Sequence, residues 1–536
     1  MTDSPASIGN SVNLPSTQLR KLTKRHHRCG TAARALTIAL VLIGIVIADG
    51  ATMAQPVMRI ATPLFVSAPG NPYQSLSLPS IITTIAVFDP LVLIDNDGDI
   101  QPWLATSWET EDGRVWRLRL RHGVSFSSGR PLTADAIVAS VAHMQTPVGR
   151  AETVGASFVD ITRAVALSDH EVEIQLADPD PLFALRLAVW RLPEPESWAQ
   201  STPADRATSV AGTGPFVPVA RAPGSMTFTA NSQAWNPPVA ERLEILLVPD
   251  QVARLQALAS GAVDLALDLG VGDRAAVENA AARLLRRLTA PMDYISFAVE
   301  HVPTSPIADR RVRQALNYAV NKTAITELLL DGYVEPVGQL AAPGAAGYDP
   351  SLEPYPYDIE RAKALLADAG FPNGLAISIR VSPEGSDQMS IFQQVAADLR
   401  RAGVDLTVML APSGQKTTML FAGDFGTELA AAIARSLDPL SDYRFRSCLG
   451  LVGDFKPFFC DAENITLVAQ ARAATTMDSA IRLMRQVLIN EHQNPPGIFL
   501  WETLVLDGVG RRMLVPDSYD KYYDFLHLHQ FGLALP

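Results

Sequence analysis

The stretch Val115–Met144, "VWRLRLRHGVSFSSGRPLTADAIVASVAHM", decides how the chain is read. Trp116, Leu118 and Leu120 alternate with Arg117, Arg119 and Arg121. That period of two marks a strand with one face buried and one in water. "SGRPL" then turns the chain. Thr133 stands where a helix N-cap belongs, and Ile137, Val138 and Val141 form an apolar stripe after it. A strand therefore passes through a turn into a helix.

The same alternation runs outward. "DQVARLQALASGAVDLAL" (250–267) predicts a helix with Val252, Leu255 and Leu258 inward, Gly261 in the left-handed position behind it, and a strand at "VDLAL". "DRRVRQALNYAVNKTAI" (309–325) sets Val312, Ala315, Leu316 and Ala319 on one helical face, with Asn321 placed to cap a second helix. "YDIERAKALLADAGFPNG" (357–374) reads as a helix stopped at Gly370 with Pro372 beyond. The last long helical stretch begins at "ENITLVAQARAATT" and breaks near Thr475 and Thr476. Strands alternating with helices predict an α/β or mixed α+β architecture.

Bulk properties narrow the function. The 536 residues suffice for about three domains. The net charge of -12 argues against nucleic acid, whose phosphates call for clustered Lys and Arg. Arg20, Lys21, Lys24, Arg25, Arg28 and Arg34 precede the apolar run "ALTIALVLIGIVIA" (35–48), and "DGATMAQP" follows. This is the pattern of an export signal, with cleavage expected after Ala54. The run is shorter than the roughly 20 residues of a membrane span, and an uncleaved N-terminal anchor is the other reading. Cys29 lies before the apolar run, not just after it where a lipid-anchor cysteine would stand. A soluble, exported, periplasmic protein is expected. Cys448 and Cys460 then meet an oxidising compartment, so they form either a disulfide or two buried thiols.

No HExxH, GxSxG or P-loop pattern occurs. "GTGPF" (212–216) lacks the Lys-Ser/Thr of a phosphate loop and reads as a strand-linking turn. His527 and His529 in "FLHLHQ" read as alternating surface positions, since zinc sites usually take three or four ligands. No catalytic group, metal site or cofactor is expected.

Five segments in order resemble the extracytoplasmic solute-binding proteins of peptide- and nickel-type ABC importers. They are Gly98–Val141, Gly212–Trp235, Asp309–Ile325, Tyr357–Gly374 and Phe458–Thr476. The resemblance implies a two-lobed α/β clamshell with a third domain. The discontinuous first lobe is mapped to 56–92, 205–290 and 505–536, the extra domain to 93–204, and the second lobe to 291–504. It also implies a monomer that closes by hinge motion on a small-molecule or peptide ligand and docks on ABC permease subunits in the inner membrane. Peptide or peptide-like solutes come first, with nickel or other metal chelates, opines, glutathione or other anionic molecules as alternatives. A secreted enzyme and a receptor without a transporter are the rival classes.

The resemblance places "ARSLDPLSDYRFRSC" (434–448) at the cleft edge, ahead of the expected Cys448–Cys460 staple. Dipeptide-binding members carry an acidic residue near the position of Arg435 to hold the peptide amino group. An arginine there suits a carboxylate or phosphate instead. Arg435 alternatively points outward or pairs with Asp438 or Asp442. Further candidate contacts are Asp438, Asp442, Tyr294, Phe297, Trp501, Glu502, Tyr73 and Ser75.

Overall fold

The computed structural model describes residues 57–534 except 67, 69, 75–77, 288, 382–385, 412–425, 435–439, 441–442, 444–456 and 524. The expected leader, 1–54, lies outside the described residues, and those described belong to one unit, Ala54–Pro536.

Three sheets organise the chain. The opening stretch lies in a four-stranded antiparallel sheet ordered Ala105–Thr110, Val115–Leu120, Glu171–Leu176, Ile161–Ser168. Trp116, Leu118 and Leu120 are buried and Arg117 and Arg119 exposed, as the alternation predicts. The helix Ala134–Met144 buries Ile137 and Val141 in the same core. Thr133 stands at its N-cap position, but the Thr133 side chain makes no capping hydrogen bond.

The second sheet has seven strands, ordered Arg283–Arg286, Leu506–Val509, Leu265–Leu269, Val57–Thr62, Arg242–Leu247, Ser225–Ala230, Phe216–Ala222. Val57–Thr62 runs parallel to both its neighbours, and the other pairings are antiparallel. The helix Gln251–Ala259 packs on it, capped by Asp250, which accepts from the Ala253 amide at 2.7 Å. Gly261 takes φ +73° behind that helix, the left-handed turn expected of it. Val252 is 58% exposed, so the inward stripe holds Leu258 but not Val252. The GTGPF turn runs hard against residue 87. A Cβ on Gly212 would lie 2.0 Å from the Val87 carbonyl oxygen, and the Gly214 amide donates to that oxygen at 2.9 Å. These glycines serve backbone contact, which the turn reading requires.

The third sheet has five strands, ordered Val404–Leu410, Leu375–Val381, Leu429–Ala434, Met292–Phe297, Gly497–Glu502. Val312, Ala315, Leu316 and Ala319 of the helix Arg310–Ala319 are fully buried against it. Asn321 accepts from the Ala324 amide at 3.1 Å and starts the next helix, Lys322–Leu328. The predicted break near Thr475 falls between the helices Ala462–Arg472 and Met477–Gln493, with the Thr476 hydroxyl capping the second.

Candidate functional site

The seven-stranded and five-stranded sheets are joined by two adjacent crossings. Arg283–Arg286 leads into Met292–Phe297, and Gly497–Glu502 leads into Leu506–Val509. Between the sheets the crossings pair with each other. The Arg287 amide donates to the Val505 carbonyl at 3.0 Å, and the Thr503 amide to the Pro291 carbonyl at 2.9 Å. The Thr289 hydroxyl donates to the Thr503 carbonyl at 3.0 Å, and the Thr503 hydroxyl to Asp293 at 2.9 Å. The two crossings are thus tied to each other by backbone and side-chain hydrogen bonds.

Charge is concentrated along the ribbon. Arg287 Nε donates to Asp507 at 2.8 Å, both side chains withdrawn from solvent, and Nη2 reaches Asp268 at 3.2 Å. Burial by itself would lower the Arg287 pKa, but Asp507 and Asp268 outweigh it and raise it. The Tyr519 hydroxyl donates to Asp507 at 2.6 Å, and burial, reinforced by Asp507, pushes that phenol well above its ordinary value. One residue earlier, Arg286 pairs with Glu502. Tyr348 stands beside this pair, its pKa raised by burial and by the Glu502 charge. Arg286 comes from the seven-stranded sheet and Glu502 from the five-stranded one, so their ion pair spans the crossing.

Among the sequence-predicted contacts, Glu502 is the one found here, partly open to solvent. Tyr73 is fully buried in the core of the four-stranded sheet, and its hydroxyl hydrogen-bonds Ser140 Oγ at 2.7 Å. Tyr294 and Phe297 sit in a strand paired on both sides, and both are buried. Phe297 and Trp501 lie in the core cluster of the five-stranded sheet, and Tyr294 lies in a neighbouring one. Each therefore contributes buried area and presents almost no surface. Arg435, Asp438, Asp442, Ser75 and Cys448 lie outside the described residues. Cys460 is disulfide-bonded.

Arg286, Arg287, Asp507 and Tyr348 were not picked out from the sequence. Their only local signal is the Arg-Arg pair at 286–287, and the pairs Arg286–Glu502 and Arg287–Asp507 each join residues more than 200 apart. His527 was misjudged: it is 4% exposed, not a surface position. Its ring meets Trp103 and Phe525 edge-on, and among the described residues neither nitrogen has a hydrogen-bond partner. Burial, then the neighbouring His529, pushes its pKa down to about 3. Among the described residues no three His, Cys, Asp or Glu side chains gather as a metal site. No described helix is long and apolar enough to cross a membrane.

Comparison with known proteins gives this architecture its family. The family model described as bacterial extracellular solute-binding proteins, family 5 Middle, matches residues 99–447, well over half of the chain. The chain belongs to the family 5 solute-binding proteins. Among its relatives is the nickel-binding periplasmic protein of Escherichia coli K12, 29% identical over 63% of this chain and 68% of that protein. Another is di/tripeptide-binding protein 2 of Pseudomonas aeruginosa UCBPP-PA14, 26% identical over 80% of this chain and 85% of that one. A similar solved structure is the periplasmic binding protein AgaA of A. tumefaciens R10 in complex with agropinic acid. It has a TM-score of 0.72 and 20% identity, and the match covers 90% of this chain and 99% of that one. The fold is accordingly that of a multi-domain periplasmic binding protein, and family 5 members bind a small-molecule or peptide solute for an ABC importer.

Proposed function

We propose that this family 5 protein is exported, its leader cut near Ala54, and captures a peptide or peptide-like solute bearing an anionic group for ABC permease subunits in the inner membrane. The seven-stranded sheet anchors one lobe (56–92, 205–290, 505–536) and the five-stranded sheet the other (291–504), with 93–204 as an added domain. The paired crossings are the observation that supports this reading. They are the route between the two sheets, and they carry hydrogen bonds and charges suited to a hinge. Solute lodged between the lobes touches both, so it favours the closed state by its difference in affinity for the two states. Arg435 is the proposed anchor for the anionic group, with Asp438, Asp442 and Glu502 as polar neighbours and Cys448 as the disulfide partner of Cys460.

A second reading is a nickel or other metal chelate, an opine, glutathione or another anionic small molecule. Nickel and agropinic acid both accord with a chelating or acidic solute. A thermal-shift screen of peptides, metal chelates and anionic small molecules tests both. A true solute at 100 times its Kd stabilises the protein by about 2.7 kcal/mol. Folded protein silent toward every class would contradict solute capture.

A further inference from the structure

The segment after strand Leu265–Leu269 reaches from the seven-stranded sheet to the layer built on the five-stranded one. Val271 packs against the core cluster of that second sheet. Asp273 holds the segment in place, accepting from the Gly270 amide at 2.9 Å and from Gln251 Nε2 at 2.8 Å. The next residue, Arg274, extends to the turn after the helix Lys322–Leu328. Its Nη1 lies 2.8 Å from the Asp331 carboxylate, and its guanidinium carbon stands 4.7 Å from the centre of the Tyr333 ring.

The turn is shaped for this contact. Asp331 has φ +53° and Gly332 φ +69°, two left-handed residues in succession. The Gly332 amide donates to the Thr326 carbonyl at 2.9 Å, and the Tyr333 amide to Leu330 at 3.0 Å. Glycine adopts the left-handed region freely, whereas an aspartate there is tolerated at some cost. The strained position is the one that presents the carboxylate to Arg274. The polarity matches the pair at the crossing. In both Arg274–Asp331 and Arg286–Glu502 the arginine comes from the seven-stranded side and the carboxylate from the five-stranded side.

We propose that Arg274, Asp331 and Tyr333 form an electrostatic latch that holds the two lobes together before solute arrives. Both charged groups are partly exposed, at 39% and 45%, so the ion pair is weak alone and screened by salt. The aromatic face under the guanidinium adds to it. The latch sets the fraction of protein already closed, and apparent solute affinity scales with the fraction that is binding-competent.

This inference rests on the proposed lobe motion, and one experiment separates the two. Spin labels are placed at Val219→Cys and Leu410→Cys, exposed positions on edge strands of the two sheets. Distance distributions are recorded without solute, in low salt and in 1 M NaCl. Arg274→Gln or Asp331→Asn should each raise the open-to-closed ratio about two- to tenfold in low salt, with an unchanged melting temperature. The double variant should match Arg274→Gln, because that change already removes both the ion pair with Asp331 and the contact with Tyr333. High salt should bring the parent toward the variants. Unchanged ratios in folded single variants, or additive effects in the double, would overturn the latch while leaving lobe motion intact. A single distance in every variant, even with a solute found by the thermal screen, would sink the lobe motion itself and the latch with it.

Discussion

Arg287 and Asp507 meet at 2.8 Å with neither side chain open to water, and they tie the two crossings together from positions 220 residues apart. Removing one charge strands the other. Asp507→Asn should cost about 3 kcal/mol in urea unfolding, with Asp268 left to compensate Arg287 only in part. Removing both charges, Arg287→Met with Asp507→Asn, which keeps an acceptor for the Tyr519 hydroxyl and the Asp268 amide, should cost less than the single change. A double variant as unstable as the single one would mean that the pair itself, and not the stranded charge, carries the effect.

His527 should make stability fall in acid. Its folded pKa is about 3, against an ordinary value near 6.5 for the unfolded chain. Between those values the unfolded state holds the proton and the folded state does not. Stability is therefore full above pH 6.5 and declines as pH drops, by about 1.4 kcal/mol per unit for one proton. His527→Phe, which keeps a ring in the aromatic box, should lose about 2 kcal/mol less than the parent between pH 7.5 and pH 5. Parallel stability curves for parent and variant would contradict this.

Lys322 predicts the opposite flank. It is the buried first residue of the helix Lys322–Leu328, with Nζ donating to the carbonyl of Asn317 at 2.6 Å and of Tyr355 at 3.3 Å. Burial pushes its pKa down to about 7. Between pH 7 and the unfolded value near 10.5 the unfolded chain binds the extra proton, so raising the pH favours the fold. From pH 7.5 to 9.5 the parent should gain about 2 kcal/mol over Lys322→Met, read from denaturant midpoints. Equal gains in both proteins would show that Lys322 is charged in the fold.

Local structure was legible because it depends on neighbours in sequence. The Trp116–Leu118–Leu120 alternation, the glycine after Ala259, the cap at Asn321 and the break before Thr476 all appear as read. Each is decided within a few residues by sterics or one hydrogen bond. Inward and outward assignments failed where burial is decided by distant chain. Val252 faces water although its spacing fits the stripe. Tyr73, Phe297 and Trp501 lie in cores assembled from elements distant in sequence, which no local window displays. His527 is enclosed by Trp103, which lies over 400 residues earlier. The charges at the crossing were hidden for the same reason, since no short window holds both members of Arg287–Asp507 or Arg286–Glu502.

Arg435 is the proposed point of ligand discrimination. Arg435→Ala should weaken an anionic solute at least tenfold, about 1.4 kcal/mol, with an unchanged melting temperature in the absence of solute. Unaltered affinity for the identified solute would return Arg435 to an ion pair or to the surface.

The most direct test of the central claim is calorimetric titration of the solute that emerges from the thermal screen, beside an analogue whose anionic group is made neutral. The account predicts saturable one-to-one binding and at least tenfold weaker affinity for the neutral analogue. Equal affinity for the two, or no saturable binding by any candidate, would contradict it.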